Sequence, residues 1–248
     1  KSEVMTLGTH FQLRNAATAN VKSATVAGAL LSVSSQMKSL GVVLDKSLSF
    51  DDHTRAVVKS CNYHTRAIRH VRHLLTESTA QTLACSLINS RLDYCNSLLH
   101  GAPDTTICKL QRAQNNAARA VLQADRSTNS TLLLHRLHWL PVCQRITFKI
   151  ALITFKARTT GLPDYLNCHL IPRVAVRSTR SADLPLLQQH RTKTEFAKRA
   201  FSYAAPDIWN SLPADVLNCN NLMTFKRTLK SYRFREHFNV AHNLVTAI

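Results

Sequence analysis

The chain has 248 residues, with 32 Lys and Arg against 14 Asp and Glu, a formal charge of +18 and a sequence pI near 10.2. Its 45 % hydrophobic content suits a packed core, and 5 Gly and 7 Pro are too few for a collagen-like or low-complexity chain. No run of about 18 apolar residues exists, so no membrane span is expected.

Seven Cys, an odd number with no C-x-x-C pair, point away from a disulfide framework or zinc ribbon and toward a reduced protein. Lys1 begins no signal h-region or transit pattern. The sequence therefore reads as a piece of a longer frame, intracellular (nuclear or cytoplasmic) and not secreted. Charge is uneven along it: residues 126–248 hold 18 Lys and Arg against 6 Asp and Glu, and residues 53–125 hold 9 against 4. Such a skew is the electrostatic footprint of a nucleic-acid binder.

In chain order, residues 4–7 and 37–44 are compact β-leaning runs. Between them, residues 14–35 are rich in Ala, Ser and Thr and predict a loop with one short strand near Val26. Asp45-Lys46-Ser47 predicts a turn. From Asp52 the period becomes helical. Val57, Cys61, His64, Ile68, Val71 and Leu75 recur every three or four residues as one apolar stripe. Ser49, Asp51 or Asp52 can cap this helix. Its other face carries Arg55, Lys59, Asn62, Arg66, Arg69 and Arg72, flanked by His70 and His73, with no acid between Asp52 and Glu77. Like charges at such spacings each cost a few tenths of a kcal/mol, a cost that a bound polyanion offsets.

Ser78 to Gln81 has capping-box spacing and predicts a second helix burying Leu83, Leu87, Ile88, Leu92, Cys95 and Leu98. A third helix is expected over 103–124, with Ile107, Leu110, Ala113, Ala117 and Val121 inward and Lys109, Arg112 and Arg119 off the stripe. Residues 125–130 predict a linker and 131–137 a short helix. Another helix starts at Pro141 and ends at Gly161. Residues 172–194 predict an extended basic loop, 204–213 turns anchored by Trp209, and Leu222, Phe225, Leu229 and Tyr232 a last helix.

Catalytic chemistry finds little support. His135-x-x-His138 and Cys168-His169 lack metal-ligand company, and His138 beside Trp139 reads as a packed half-buried histidine. There is no G-x-S-x-G elbow or phosphate-cradling loop. Asp51-Asp52 superficially resembles a polymerase metal pair, but at a helix start capping is the expected role. Asn129-Ser130-Thr131 is read as a chance sequon match.

Several phrases in fixed order carry a resemblance: Leu40 to Asp45; Ser49-Phe50 followed by His53; Ser90-Arg91-Leu92-Asp93-Tyr94-Cys95-Asn96; Lys109-Leu110-Gln111-Arg112; His138-Trp139-Leu140-Pro141-Val142; and Trp209-Asn210-Ser211-Leu212-Pro213. Together they look like the C-terminal part of reverse transcriptases (RNA-directed DNA polymerases) of jockey-like non-LTR retrotransposons, or long interspersed elements, over residues 1–236. The resemblance implies a mainly α chain in three parts. Residues 1–51 would be a small β remnant of the late palm and primer grip, 52–125 a helical thumb-like bundle, and 126–248 a mostly helical, loop-containing basic C-terminal region.

By the same resemblance the partners are RNA and DNA, held as a template–primer duplex by sequence-independent backbone contacts. The catalytic Asp pair and its Mg2+ belong to a palm outside this sequence. No cofactor or metal is expected here, and the chain alone is expected to be inactive. The phosphate contacts expected are Arg66, Arg69 and Arg72, then Arg55 and Lys59, extended by Lys109 and Arg112. The competing expectations are a non-catalytic helical interaction protein and a functionless relic of a retroelement. No membrane partner is expected and no oligomeric state is specified.

Overall fold

A computed structural model describes residues 3–15, 21–174 and 184–245. Its N-terminal part is built from short strands. Strand β1 (Val4–Met5) runs parallel to β3 (Ala29–Ser34), which also pairs antiparallel with β2 (Ser23–Val26) in the register Ser23↔Ser32. Helix α1 (His10–Arg14) lies between β1 and β2 in sequence. A separate hairpin joins β4 (Gln36–Ser39) to β5 (Val42–Asp45), Lys38 facing Val43. The loop expected over 14–35 is thus a two-strand hairpin in its described part. Each hairpin closes on a residue-Gly pair with positive φ at both positions, Ala27-Gly28 (49° and 80°) and Leu40-Gly41 (46° and 81°). This is the geometry a two-residue turn needs to match the strand twist.

Asp45 organises the passage from sheet to helix. Its carboxylate accepts from the backbone N–H groups of Ser47 (3.0 Å), Ser49 (3.0 Å) and Phe50 (2.8 Å) and from both serine hydroxyls. Burial opposes its ionisation, but these donors outweigh that and hold the carboxyl below its ordinary range. Phe50, buried and left-handed, precedes α2 (Asp51–Val71). No side chain forms a standard N-cap there. Asp51 and Asp52 sit in the first helical turn, where negative charge meets the positive end of the helix.

The buried line of α2 is Thr54, Cys61, Thr65 and Ile68, with Val57 and Val58 half-buried beside it. Of the expected stripe, His64 is half-buried, Val71 is exposed, and Arg72 takes the inward place instead. Helix α2 packs most extensively along α5 (Asp104–Leu122). Helix α5 buries Leu110, Ala113, Ala117 and Val121 as its periodicity predicts, while Ile107 is only half-buried; it also buries Gln114, whose Nε2 donates to the Leu140 carbonyl at 2.9 Å.

Between them, the second helix starts two residues before the expected box. Thr76 is its N-cap, its hydroxyl accepting from Thr79 N–H at 3.2 Å, and α3 covers Glu77–Ala84. A π-helical turn (Cys85–Asn89) and α4 (Ser90–Asp93) follow. The buried residues Ala80, Ala84, Ile88 and Leu92 are spaced by four throughout. An α-helix drifts about 40° per four residues, and one wider turn cancels part of that drift. The helix then breaks at Tyr94, before the expected end, and Leu98 is exposed on a 3-10 turn (Asn96–Leu99).

Asn129 caps α6 (Ser130–Arg136), its side-chain oxygen accepting from Thr131 N–H at 2.9 Å. Helix α7 (Val142–Thr160) begins after Pro141 and ends at Gly161 as expected. A short helix, α8 (Asp164–Asn167), follows, and Pro172 bridges to Leu187. Part of the loop expected over 172–194, residues 175–183, lies outside the described residues, and the described remainder is irregular apart from that bridge. The turns expected over 204–213 are mainly helix: α9 (Phe201–Asn210) carries Pro206 inside it, and Trp209 is anchored by an indole N–H bond to the Pro185 carbonyl (2.8 Å). Helices α10 (Ala214–Leu217) and α11 (Leu222–Val245) complete the described residues. One buried apolar cluster runs from Val42 to Phe238, so it spans the expected boundaries at 51/52 and 125/126. Among the described residues the fold is mainly helical with two small sheets.

Candidate nucleic-acid interface

At 100° per residue, Lys59, Arg66 and Arg69 fall within about 40° of Arg55 around the helix axis, so these four share one face of α2. Arg55 and Arg69 stand about 21 Å apart along it. All four are exposed. Arg72, seventeen residues after Arg55, is turned about 100° away.

The structure separates the seven expected contacts into three groups. Lys59, Arg66 and Arg112 are exposed, and Arg69 makes only a long bond (3.4 Å) to the Asn116 carbonyl of α5. Among the described residues, none of these four forms an ion pair.

Arg55 and Lys109 are engaged with acids. Arg55 bonds Asp51 (2.7 Å) and Asp52 (2.6 Å), while Lys109 crosses from α5 to the other Asp51 oxygen. The hydrogen bonds from Lys109 and Arg55 hold the Asp51 carboxyl below its usual range, against a small opposing effect of burial. Asp52 also accepts from the Gln36 side chain. These carboxylates are occupied by cations and an amide, so they do not fit the role of a metal pair. Among the described residues, no group of three His, Cys, Asp or Glu is placed to hold a metal ion.

Arg72 is a correction. It is 9 % exposed, its Nε donates to the Val121 carbonyl (2.7 Å) and one terminal nitrogen to the Leu75 carbonyl (2.7 Å). The cause is local: α2 ends at Val71 and a 3-10 turn (Arg72–Leu74) follows, while α5 presents unpaired carbonyls nearby. Its guanidinium joins two helix ends. Arg72→Ala is expected to lower stability by about 2–3 kcal/mol, read as a shifted denaturant midpoint. Duplex affinity of the folded variant should stay within about twofold of the parent; a larger loss would return Arg72 to the interface.

At this end of the row lies a cleft of about 360 Å³ lined by Arg69, Arg72, His73, Arg119, Asp125 and Arg126, among others. Arg119 donates to the Thr128 carbonyl at 3.3 Å, and its Nε is buried without a partner among the described residues. The sequence reading placed Arg119 off the apolar stripe without assigning it a role and did not single out Arg126. A signal existed: both stand at or just beyond the C-terminal end of α5, where cations complement exposed carbonyls. His138 is exposed with φ 52°, not half-buried, and its ring packs on Phe234 at 5.4 Å.

Fold and site together define a mainly helical chain with a cationic face on its longest early helix. No family model, curated protein or solved structure matches the chain. Among the described residues, no helix is long and apolar enough to cross a membrane.

Proposed function

We propose that this chain binds a nucleic-acid duplex through the face of α2 bearing Lys59, Arg66 and Arg69, with Arg112 of α5 extending it. In this reading it is the non-catalytic, thumb-like part of an RNA-directed DNA polymerase of the non-LTR retrotransposon kind. The hairpin Gln36–Asp45 then stands where the primer grip would be, the helices over 51–122 form the thumb, and the template–primer hybrid is the ligand. The observation that carries the reading is the row itself: cations in line on one helix, exposed and without acidic partners among the described residues.

Such a row suits phosphates. A strand in a duplex presents a phosphate about every 3.4 Å, so the roughly 15 Å of helix face from Lys59 to Arg69 spans about four of them. Backbone contact of this kind is strong but indifferent to sequence. Mg2+ and the acid pair that would hold it are assigned to a palm outside this chain, and no chemical step is assigned to the residues here.

The test is the salt dependence of binding. With four phosphates neutralised by Lys59, Arg66, Arg69 and Arg112, affinity for a duplex should fall with a log–log slope of roughly −3 to −4. Titration of a labelled RNA–DNA hybrid between 50 and 200 mM salt checks this. An affinity that is flat over that range would reject the reading.

A further inference from the structure

A cleft of about 740 Å³ opens between the segment leading into α2, α7, α8 and the start of α9, and no residue of the α2 row lines it. Its walls are apolar: Leu48, Ile150, Ile153, Leu166 and Phe201. Three more of its lining residues are large and exposed, Leu98 at 46 %, Phe196 at 44 % and Tyr165 at 71 %. Single exposed apolar side chains need no explanation, but three around one concave surface mark a place where something binds.

Arg199 is the only charged side chain among the described residues lining this cleft. It stands on a 3-10 turn (Ala197–Arg199) before α9 and is half-buried. Its place is fixed from several sides. One terminal nitrogen donates to the Leu48 carbonyl at 2.6 Å, and the guanidinium lies 5.6 Å from the ring centroid of Phe50 and 5.7 Å from that of Phe196. Gly101, at φ 66°, makes room for its stem, since an added Cβ would come within 2.6 Å of Arg199 Cγ. Yet the charge is unanswered. Among the described residues Arg199 forms no ion pair, and its Nε and other terminal nitrogen make no hydrogen bond, although neither is sealed from solvent. Burial disfavours the cation. The charge of Asp45 opposes that effect, but its carboxylate is already taken by donors from Ser47, Ser49 and Phe50. A half-buried cation in this state gains most from an anion brought to it.

We infer that this cleft binds a small amphiphilic carboxylate of the fatty-acid class, its chain against Ile150, Ile153, Leu166 and Phe201 and its carboxylate on Arg199. The volume and the apolar lining with few polar groups are those of a small-ligand site. One guanidinium answers one negative charge, and with no second cation in the lining a phosphate dianion is a poorer occupant. A partner protein typically covers roughly 800 Å² on each side, more than three exposed apolar side chains provide. The inference does not depend on the α2 row.

The test is equilibrium binding of radiolabelled decanoate to the full chain, below the concentration at which decanoate forms micelles. One saturable site per chain is expected. Because the chain carries a formal charge of +18, anions also gather on it without a site, and the comparisons are chosen to separate the two. Decanol, with the same chain and no charge, should bind at least tenfold more weakly than decanoate, and acetate, with the charge and no chain, should not compete. Arg199→Gln should bring decanoate down to the affinity of decanol while leaving decanol within about twofold. Should that variant not fold, Leu98→Glu, at an exposed position, sets a negative charge beside the cleft and should weaken decanoate at least tenfold. Arg66→Glu with Arg69→Glu should leave decanoate binding unchanged, so a failed cleft and a failed α2 row are told apart. The inference is overturned by the absence of a saturable site, by equal affinity for decanoate and decanol, or by unchanged decanoate affinity in the cleft variants. It is overturned equally if a helical peptide rich in Leu and Glu saturates the cleft while decanoate does not, which would assign the surface to a protein partner.

Discussion

Phe225→Ala is expected to lower the stability of the chain by about 3–5 kcal/mol, the cost of deleting a fully buried ring. Phe225 is 0 % exposed. It is stacked on Phe155 at 4.2 Å between ring centroids and lies 5.9 Å from Trp209, so one ring joins α11, α7 and α9. Removing it empties the junction of three helices, and the neighbouring rings are large and held from behind. Trp209 is tied to the Pro185 carbonyl and covered by the Arg158 guanidinium at 4.7 Å. These constraints limit the collapse that would reduce the cost. The denaturant midpoint at unchanged slope measures the loss. A change below 1 kcal/mol would show that the C-terminal helices contribute little to cooperative folding.

Arg66→Glu combined with Arg69→Glu is expected to weaken duplex binding at least tenfold, on the order of 1.4 kcal/mol or more, without unfolding the chain. Both side chains are exposed, and the only bond to either among the described residues is the long one from Arg69 to Asn116. Their reversal therefore removes little from the folded state. It places two negative charges at the Arg69 end of the row, where they meet phosphates directly. Equilibrium binding of a labelled RNA–DNA hybrid by parent and variant, with circular dichroism to confirm the fold, gives the ratio. Unchanged affinity would remove the α2 face from the interface and shift attention to the charge in residues 126–248.

The helices were legible because their apolar residues repeat at a regular spacing. Leu110, Ala113, Ala117 and Val121 face inward as their spacing demands, and Pro141 and Gly161 bracket α7. Elements fixed by few residues were harder to read. The hairpin Ser23–Ser34 turns on Ala27-Gly28, which lacks the Asn or Asp that usually announces such a turn. Pro206 and Pro213 suggested turns. Yet Pro206 sits inside α9, beside the small buried residues Ala204 and Ala205. It removes one N–H from the ladder without ending the helix, which tertiary packing permits.

The candidate interface was legible in composition and only partly in geometry. A stripe drawn by counting threes and fours placed Arg72 on the exposed face, because such counting accumulates angular drift over five turns. The 3-10 turn at Arg72–Leu74 then completes its rotation inward. Arg55 and Lys109 have the right residue types, but Asp51 and Asp52 already occupy them. Pairing across helices is invisible to periodicity. What remains is a shorter row than the sequence suggested, and its salt slope should be correspondingly smaller.

The most direct test of the central claim compares salt slopes. Lys59→Gln, Arg66→Gln and Arg69→Gln together remove three proposed phosphate contacts without reversing charge. The account predicts that the triple variant binds an RNA–DNA hybrid with a log–log salt slope shallower than the parent's by about 2 to 3. An identical slope in parent and variant would contradict it, since the cations on this face would then release no counterions on binding.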